Sequence, residues 1–183
     1  MCGIICLRET KENPGGTLTH RGPDAFNAVS VGDTQLLFYR LAINDLSTAG
    51  MQPFVSPDGT KAMVCNGEIF NYREMLTGHE VTQSDCEPLF HLLCNRTSDD
   101  ISDIVRELRG EFAFAFVDGT KLFVGRDPLG VRPLFMSKTA DGGVAFASES
   151  KVLRGTSVDV FPPGCIYGPV SYTHLTLPTT KQV

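Results

Sequence analysis

The sequence predicts an α+β domain, two β-sheets enclosed by helices. Three observations carry that expectation. Strand-like apolar runs sit near both ends of the chain, two stretches of helical period lie between them, and Phe112–Asp118 (FAFAFVD) is a continuous apolar run. Such a run suits a strand covered on both faces. The chain has 183 residues, enough for one domain around a single buried core. A composition of 42% hydrophobic and 20% charged residues is that of a globular protein.

Taken in order, GIICL (Gly3–Leu7) reads as a first strand, followed by a polar loop at Pro14-Gly15-Gly16 and a turn at His20–Asp24. FNAVSV and TQLLFYRLAI read as a strand pair joined at Gly32-Asp33, and Met51 to Thr60 as a loop rich in Pro and Gly. Lys61–Cys65 is a short buried strand running straight into NGE. In SDCEPLFHLLC the positions Leu89, Phe90, Leu92 and Leu93 have helical period, with Ser84 as the expected N-cap. Ile101, Ile104, Val105 and Leu108 follow i, i+3, i+4, i+7 after Asp99-Asp100, and Gly110 is expected to end that helix. KLFVG, RPLFM and VAFAS complete a β-meander after FAFAFVD. Residues 1–168 are expected to form the domain. From 169 to 183 an irregular, threonine-rich tail (SYTHLTLPTTKQV from Ser171) lacks any period, as a disordered or non-native segment would.

The formal net charge is −5, and no Lys/Arg cluster occurs, which argues against nucleic acid or an anionic membrane as a partner. No stretch approaches the roughly 18 apolar residues of a membrane span. Arg8 to Glu12 follow the first strand too closely for a signal-peptide core, so the cytoplasm is the expected compartment. Six cysteines are present, but no C-x-x-C spacing, so neither a disulfide framework nor a zinc site is expected. Cys6 and Cys65 read as small buried hydrophobes.

Cys2 is different because of its place directly behind Met1. Removal of Met1 leaves a thiol and a free α-amine on one residue. An α-amine has a pKa of about 7.7–8.0, so near neutral pH it can take the thiol proton and activate the nucleophile. Attack on a carbonyl then needs donors for the developing oxyanion. Asn66-Gly67 offers a side-chain amide beside a backbone N–H, although the same dipeptide also reads as a plain hairpin turn. Arg40, leaving a sheet edge, has the geometry to grip a carboxylate with two parallel bonds. Asp85 can accept from an ammonium or serve as a helix N-terminal charge.

Together these stretches resemble a known pattern. MCGI, HRGPDAF, YRLAIND, GMQPF, NGEIFNY, SDCE, RDPLGVRPLF, FASE and FPPG occur in order over roughly residues 1 to 168. In that order they resemble the N-terminal-nucleophile type of glutamine amidotransferase domain, above all that of asparagine synthetases. The resemblance implies a four-layer αββα sandwich of two antiparallel sheets. It implies Cys2 as nucleophile, Asn66 and Gly67 as oxyanion hole, and Arg40 as the group binding the glutamine α-carboxylate. Leu41, Ile43 and Asn44 would line the pocket, and Glu68 and Asp85 would hold the α-amino group. HRGPD and RDPLGVRPLF are expected mainly as turns that shape the pocket, with Arg21 ordering a loop.

The expected partners are L-glutamine and an ammonia-accepting synthetase domain or subunit, with oligomerisation left open. No cofactor is expected within these residues: the phosphate-binding stretch S-G-G-x-D-S is not in the sequence, so ATP and Mg would belong to a synthetase domain outside it. A second departure is Lys11 to Gly16, too short and broken for the helix usual there. Two other readings stand beside an active glutaminase module. One is the glutaminase part of a phosphoribosylpyrophosphate amidotransferase, and the other is a glutamine-binding module without turnover.

Overall fold

The computed structural model describes residues 1–97 and 100–169 together with the strand Tyr172–His174. Its strands are β1 (Gly3–Arg8), β2 (Ala25–Val31), β3 (Thr34–Arg40), β4 (Phe54–Val55), β5 (Lys61–Ile69) and β6 (Gly110–Asp118). They continue with β7 (Lys121–Arg126), β8 (Phe135–Lys138), β9 (Val144–Ala147), β10 (Ser157–Val160), β11 (Cys165–Tyr167) and β12 (Tyr172–His174). The α-helices among the described residues are α1 (Glu87–Cys94) and α2 (Ile101–Glu107), beside short 3-10 turns such as Thr48–Gly50 and Ser150–Val152. The strands form two sheets, ordered β10-β8-β9-β1-β3-β2 and β12-β11-β7-β6-β5-β4, and every pairing is antiparallel.

Period-two alternation sorts the side chains into layers. On β6, Phe112, Phe114 and Phe116 face the helices, while Ala113, Ala115 and Val117 face the other sheet. Small residues line the inter-sheet side of β5 as well, at Ala62 and Val64, and meet Ile4 and Cys6 of β1 with Leu36 and Phe38 of β3. The bulky phenylalanines lie beneath Leu89, Phe90 and Leu93 of α1 and Ile104 and Val105 of α2. Burying one such side chain stabilises by about 1.5–3 kcal/mol. The expected two-sided burial of FAFAFVD is thus seen directly.

The fourth layer is thin. On the outer face of the first sheet, Ile5, Leu7, Leu37 and Tyr39 are covered by Leu18 from the loop after β1 and by Val152 and Leu153. Among the described residues no α-helix packs there, in keeping with the broken stretch Lys11 to Gly16.

Several local expectations are corrected. Asn66-Gly67 is no hairpin turn: β5 continues through it to Ile69, paired with β6 along its whole length. β3 ends at Arg40, so Leu41–Asn44 leave the sheet. Ser84 does not cap α1; the N-cap position is Cys86, and Ser84 Oγ instead accepts from the Cys86 N–H at 3.3 Å. α2 ends at Glu107, with Leu108 as its C-cap, and Gly110 opens β6. β8 begins only at Phe135, because Pro133 has no N–H to give a ladder. β4, β10 and β11 were not anticipated, since each is short. The tail expected to be irregular contains one short strand, Tyr172–His174, and the rest of that tail, like Asp99, lies outside the described residues. Among the described residues no helix is long and apolar enough to cross a membrane.

Candidate active site

Alternation also places the site. Ile4 and Cys6 point into the inter-sheet core, and Cys2, two residues earlier, packs against that same cluster. On β5, Ala62 and Val64 point into it from the opposite sheet, so Asn66 is the next residue on that face. The two sheets therefore bring residues 2 and 66 to one end of the space between them. Both line a small open cleft of about 70 Å³, together with Arg40, Leu41, Ile43, Asn44, Gly67, Glu68 and Asp85. All nine residues singled out from the sequence converge there.

Two donors stand beside the cleft. Asn66 is 1% exposed, and its Nδ2 has no hydrogen-bond partner among the described residues. A buried amide left unpaired costs roughly 1–3 kcal/mol, so this group calls for a partner that the described residues do not supply. The Gly67 N–H follows from ladder geometry. Cys65 turns its N–H and C=O away from β6, to the Gln52 amide, at 2.6 and 3.2 Å. Ile69 turns its N–H the same way, to Asp85 Oδ2 at 2.7 Å. Gly67 lies between them on the same repeat, so its N–H points to the cleft edge. No side chain is tolerated there, because a Cβ on Gly67 would lie 2.5 Å from Glu111 O.

The cleft's other wall is the loop 41–51. Arg40 is buried, donating from Nη1 to Ser47 O at 2.6 Å and from Nη2 to Asp45 O. Asn44 Nδ2 donates to Asp85 Oδ1 at 2.8 Å, joining this loop to the turn before α1. Ile43 sits on the rim, 60% exposed. Glu68 is half-buried and lies opposite Glu111 across the strand pair, with Arg132 held at 2.6 Å from the Glu111 carboxylate. Glu111 is thus paired with Arg132, and Glu68 with Asp85 supplies the negative charge at this end of the cleft.

The thiol of Cys2 is cradled by backbone. Leu41 N–H reaches Sγ at 3.4 Å, and Sγ lies 3.5 Å from Leu41 O. Burial pushes the thiol up, while the Leu41 contact, the chain's amino terminus and Arg40 pull it partly back, and it ends above its ordinary value. Arg21 Nε donates to the Cys2 carbonyl at 3.0 Å, and its guanidinium also reaches Glu149 at 3.4 Å.

The turn RDPLGVRPLF is structural for the most part. Asp127 accepts from the N–H groups of Leu129, Val131 and Arg132, and Arg126 donates to the carbonyls of Gly130, Arg132 and Phe161. Residues that went unnoticed as site members are Gln52, Asp45, Ser84 and Arg132, all on the cleft wall. Each lay inside a quoted motif, but its part depends on contacts between segments far apart in sequence.

A two-sheet antiparallel sandwich with a thiol at the head of an inner strand defines the class: a protein of the N-terminal-nucleophile amidotransferase fold. Solved structures share it. The glutamine phosphoribosylpyrophosphate amidotransferase from B. subtilis superposes with a TM-score of 0.74 at 22% identity, over 94% of this chain and 48% of that one. A predicted glutamine amidotransferase from Pseudomonas aeruginosa gives a TM-score of 0.55 at 13% identity, over 91% and 83%. Residues 1–161 match the family described as glutamine amidotransferase domain, and the chain belongs to that family. Curated relatives include a probable asparagine synthetase [glutamine-hydrolyzing] of Dictyostelium discoideum, 35% identical over 90% of this chain and 32% of its own length. Asparagine synthetase [glutamine-hydrolyzing] 3 of Arabidopsis thaliana is 38% identical over 91% and 31%. The chain thus spans about a third of the length of these relatives.

Proposed function

We propose that this chain hydrolyses the side-chain amide of L-glutamine at Cys2 and that the ammonia serves asparagine synthesis from aspartate and ATP in a synthetase region beyond these residues. The observation that carries the first part is the orphaned, buried Nδ2 of Asn66 beside the edge-facing N–H of Gly67, in the cleft that Cys2 also lines. With Met1 removed, the Cys2 α-amine takes the thiol proton. Sγ then bonds to the amide carbon, and the carbonyl oxygen becomes an oxyanion received by the two donors. The C–N bond breaks as the amine returns its proton to the leaving nitrogen, ammonia departs, and a thioester remains. Water cleaves the thioester through a second oxyanion, releasing glutamate. Arg40 meets the substrate α-carboxylate, Leu41, Ile43 and Asn44 line its path, and Glu68 with Asp85 takes the ammonium.

The raised thiol value supports this division of labour. A thiol that stays protonated at neutral pH needs a base beside it, and the α-amine of the same residue is that base. The asparagine assignment rests on relatives 35–38% identical and named for it, whereas the phosphoribosylpyrophosphate enzyme is 22% identical and speaks for the fold. ATP and Mg belong to the region outside these residues, and the cytoplasm is the proposed compartment.

The test is glutamate release from glutamine by the chain with Met1 removed, against its Cys2→Ala variant. Release that depends on Cys2, with a covalent adduct of a glutamine-like electrophile on that residue, is the expected result. Undiminished release from Cys2→Ala would sink the assignment.

A further inference from the structure

Asp45 is a buried carboxylate on the cleft wall to which the proposed reaction gives no role. Every contact it makes joins two parts of that wall. Its Oδ1 accepts from the Ser47 N–H at 2.8 Å and from Ser47 Oγ at 2.6 Å, which folds the loop 45–47 back on itself. Its Oδ2 accepts from the Gln83 N–H at 2.9 Å, reaching across to the turn that carries Ser84 and Asp85. Its backbone carbonyl receives Arg40 Nη2, and the carbonyl of Ser47 receives Arg40 Nη1 at 2.6 Å. The fit is close: a Cβ on Gly50 would lie 2.7 Å from Arg40 Nη2 and 2.8 Å from Asp45 Cβ.

One carboxylate therefore holds both ends of a zwitterion site. By folding the loop 45–47 it places the backbone carbonyls of Asp45 and Ser47 that receive the guanidinium of Arg40. Through Gln83 it fixes the turn that presents Asp85. Charge-assisted bonds to backbone N–H groups are short and about twice as strong as neutral ones, so this clasp is stiff. Neither Cys2 nor Asn66 is among its partners.

We propose that Asp45 is a positioning residue that sets the spacing between the carboxylate-binding and ammonium-binding ends of the cleft, and so selects the free α-amino acid head of glutamine. This rests on the glutamine reading above. Loss of the clasp weakens recognition of the amino-acid head and leaves the thiol and the oxyanion donors in place. In kinetic terms that is uniform binding, which appears in KM with kcat held.

The experiment uses the 183-residue chain and the variants Asp45→Asn and Ser47→Ala, the second removing one bond to Oδ1 with little demand on folding. Glutamine Kd is measured by calorimetry in the Cys2→Ala background, and KM and kcat in the active protein. Alkylation of Cys2 by iodoacetamide, with and without glutamine, reports the nucleophile separately. The expected result is a rise of about 10- to 100-fold in Kd and KM for Asp45→Asn and a smaller rise for Ser47→Ala. kcat stays within about threefold, the alkylation rate without glutamine is unchanged, and protection of Cys2 needs correspondingly more glutamine. Unchanged Kd and KM, or a fall confined to kcat, in a variant with the parent's circular dichroism overturns the role of Asp45. Failure of the parent with Asp45 intact to bind glutamine at all overturns the glutamine reading instead.

Discussion

Cys2 and Leu41, thirty-nine positions apart, hold each other through paired contacts of 3.4 and 3.5 Å between one sulfur and one backbone unit. The loop that follows β3 thereby fixes the thiol at the head of β1. A thiol held this way loses little further freedom in any reaction it undergoes. The same enclosure raises the thiol above its ordinary value, chiefly through burial.

A pH prediction follows from that shift. Thiolate is the form that reacts, so with Met1 retained the alkylation of Cys2 by iodoacetamide is slow at pH 7 and climbs steeply only above the ordinary thiol range. With Met1 removed, the α-amine accepts the proton, and alkylation rises through about pH 7.7–8.0. Rate against pH, read by intact mass, checks both curves. Superimposable curves for the two forms would remove the amine from its role as base.

Asn66→Ala takes away the unpartnered Nδ2 and should lower kcat for glutamine by about 10²–10³, or roughly 2.7–4 kcal/mol, with KM nearly unchanged. Stability should change little or improve, because an unsatisfied buried amide is deleted. Steady-state kinetics paired with thermal melting distinguishes this from a folding defect. A drop in melting temperature together with intact kcat would mean that the amide is structural.

Gly67→Ala should behave differently. Its Cβ would meet Glu111 O at 2.5 Å and Phe112 Cα at 2.7 Å, both backbone, so β5 and β6 must part. Overpacking of this kind typically costs about 1–3 kcal/mol, and here it also turns the N–H off the cleft. The variant should lose melting temperature and kcat together, in contrast to Asn66→Ala.

Much of this was legible in the sequence because alternation is a local signal. The run around Phe114 declared a strand buried on both faces, and the order of the motifs gathered Cys2, Arg40, Asn66, Gly67 and Asp85 into one site. The dipeptide Asn66-Gly67 shows the limit: alone it favours a turn, and only its pairing with Ala113 and Phe112 on β6 keeps it straight. Ser84 failed as a helix cap for a related reason, since Asp85 is drawn away to Ile69 and Asn44, which delays the first helical turn. Asp45 and Gln52 were invisible as site residues because their roles consist of bonds to Gln83 and Cys65. No spacing rule encodes such contacts.

Arg21 ties the Cys2 carbonyl to Glu149, which His20 and Lys151 also approach, at 2.7 and 3.1 Å. Burial pushes the Glu149 carboxyl up, but hydrogen bonds from His20 and Lys151 outweigh it and leave the group below its usual value. A carboxylate depressed in the folded state adds stability that is present above its unfolded pKa of about 4.3 and lost as pH falls below it. Arg21→Lys cannot span both partners with a single ammonium. It should slow glutamine turnover by about tenfold. Glu149→Gln should give a milder loss and remove part of the acid sensitivity of folding, as read by melting temperature between pH 3 and 6. An unchanged acid limb in Glu149→Gln would assign that sensitivity to other carboxylates.

Arg126 offers a contrast between holding the fold and serving the cleft. Its guanidinium satisfies the carbonyls of Gly130, Arg132 and Phe161, each at 2.7 Å, while Arg132 from the same turn reaches the cleft and the Glu111 carboxylate. Arg126→Ala strands three carbonyls at about 1–3 kcal/mol each before water recovers part of the loss, so roughly 3–5 kcal/mol should disappear. At about 2–4 °C per kcal/mol for a domain of this size, melting should fall by roughly 6–20 °C. Arg132→Ala leaves those carbonyls satisfied and frees Glu111 to repel Glu68 across the strand pair, so its main effect should be on KM for glutamine. Melting curves and steady-state kinetics on both variants decide it. Equal losses of stability in the two would mean that the turn works as one unit and that Arg132 has no separate part in the cleft.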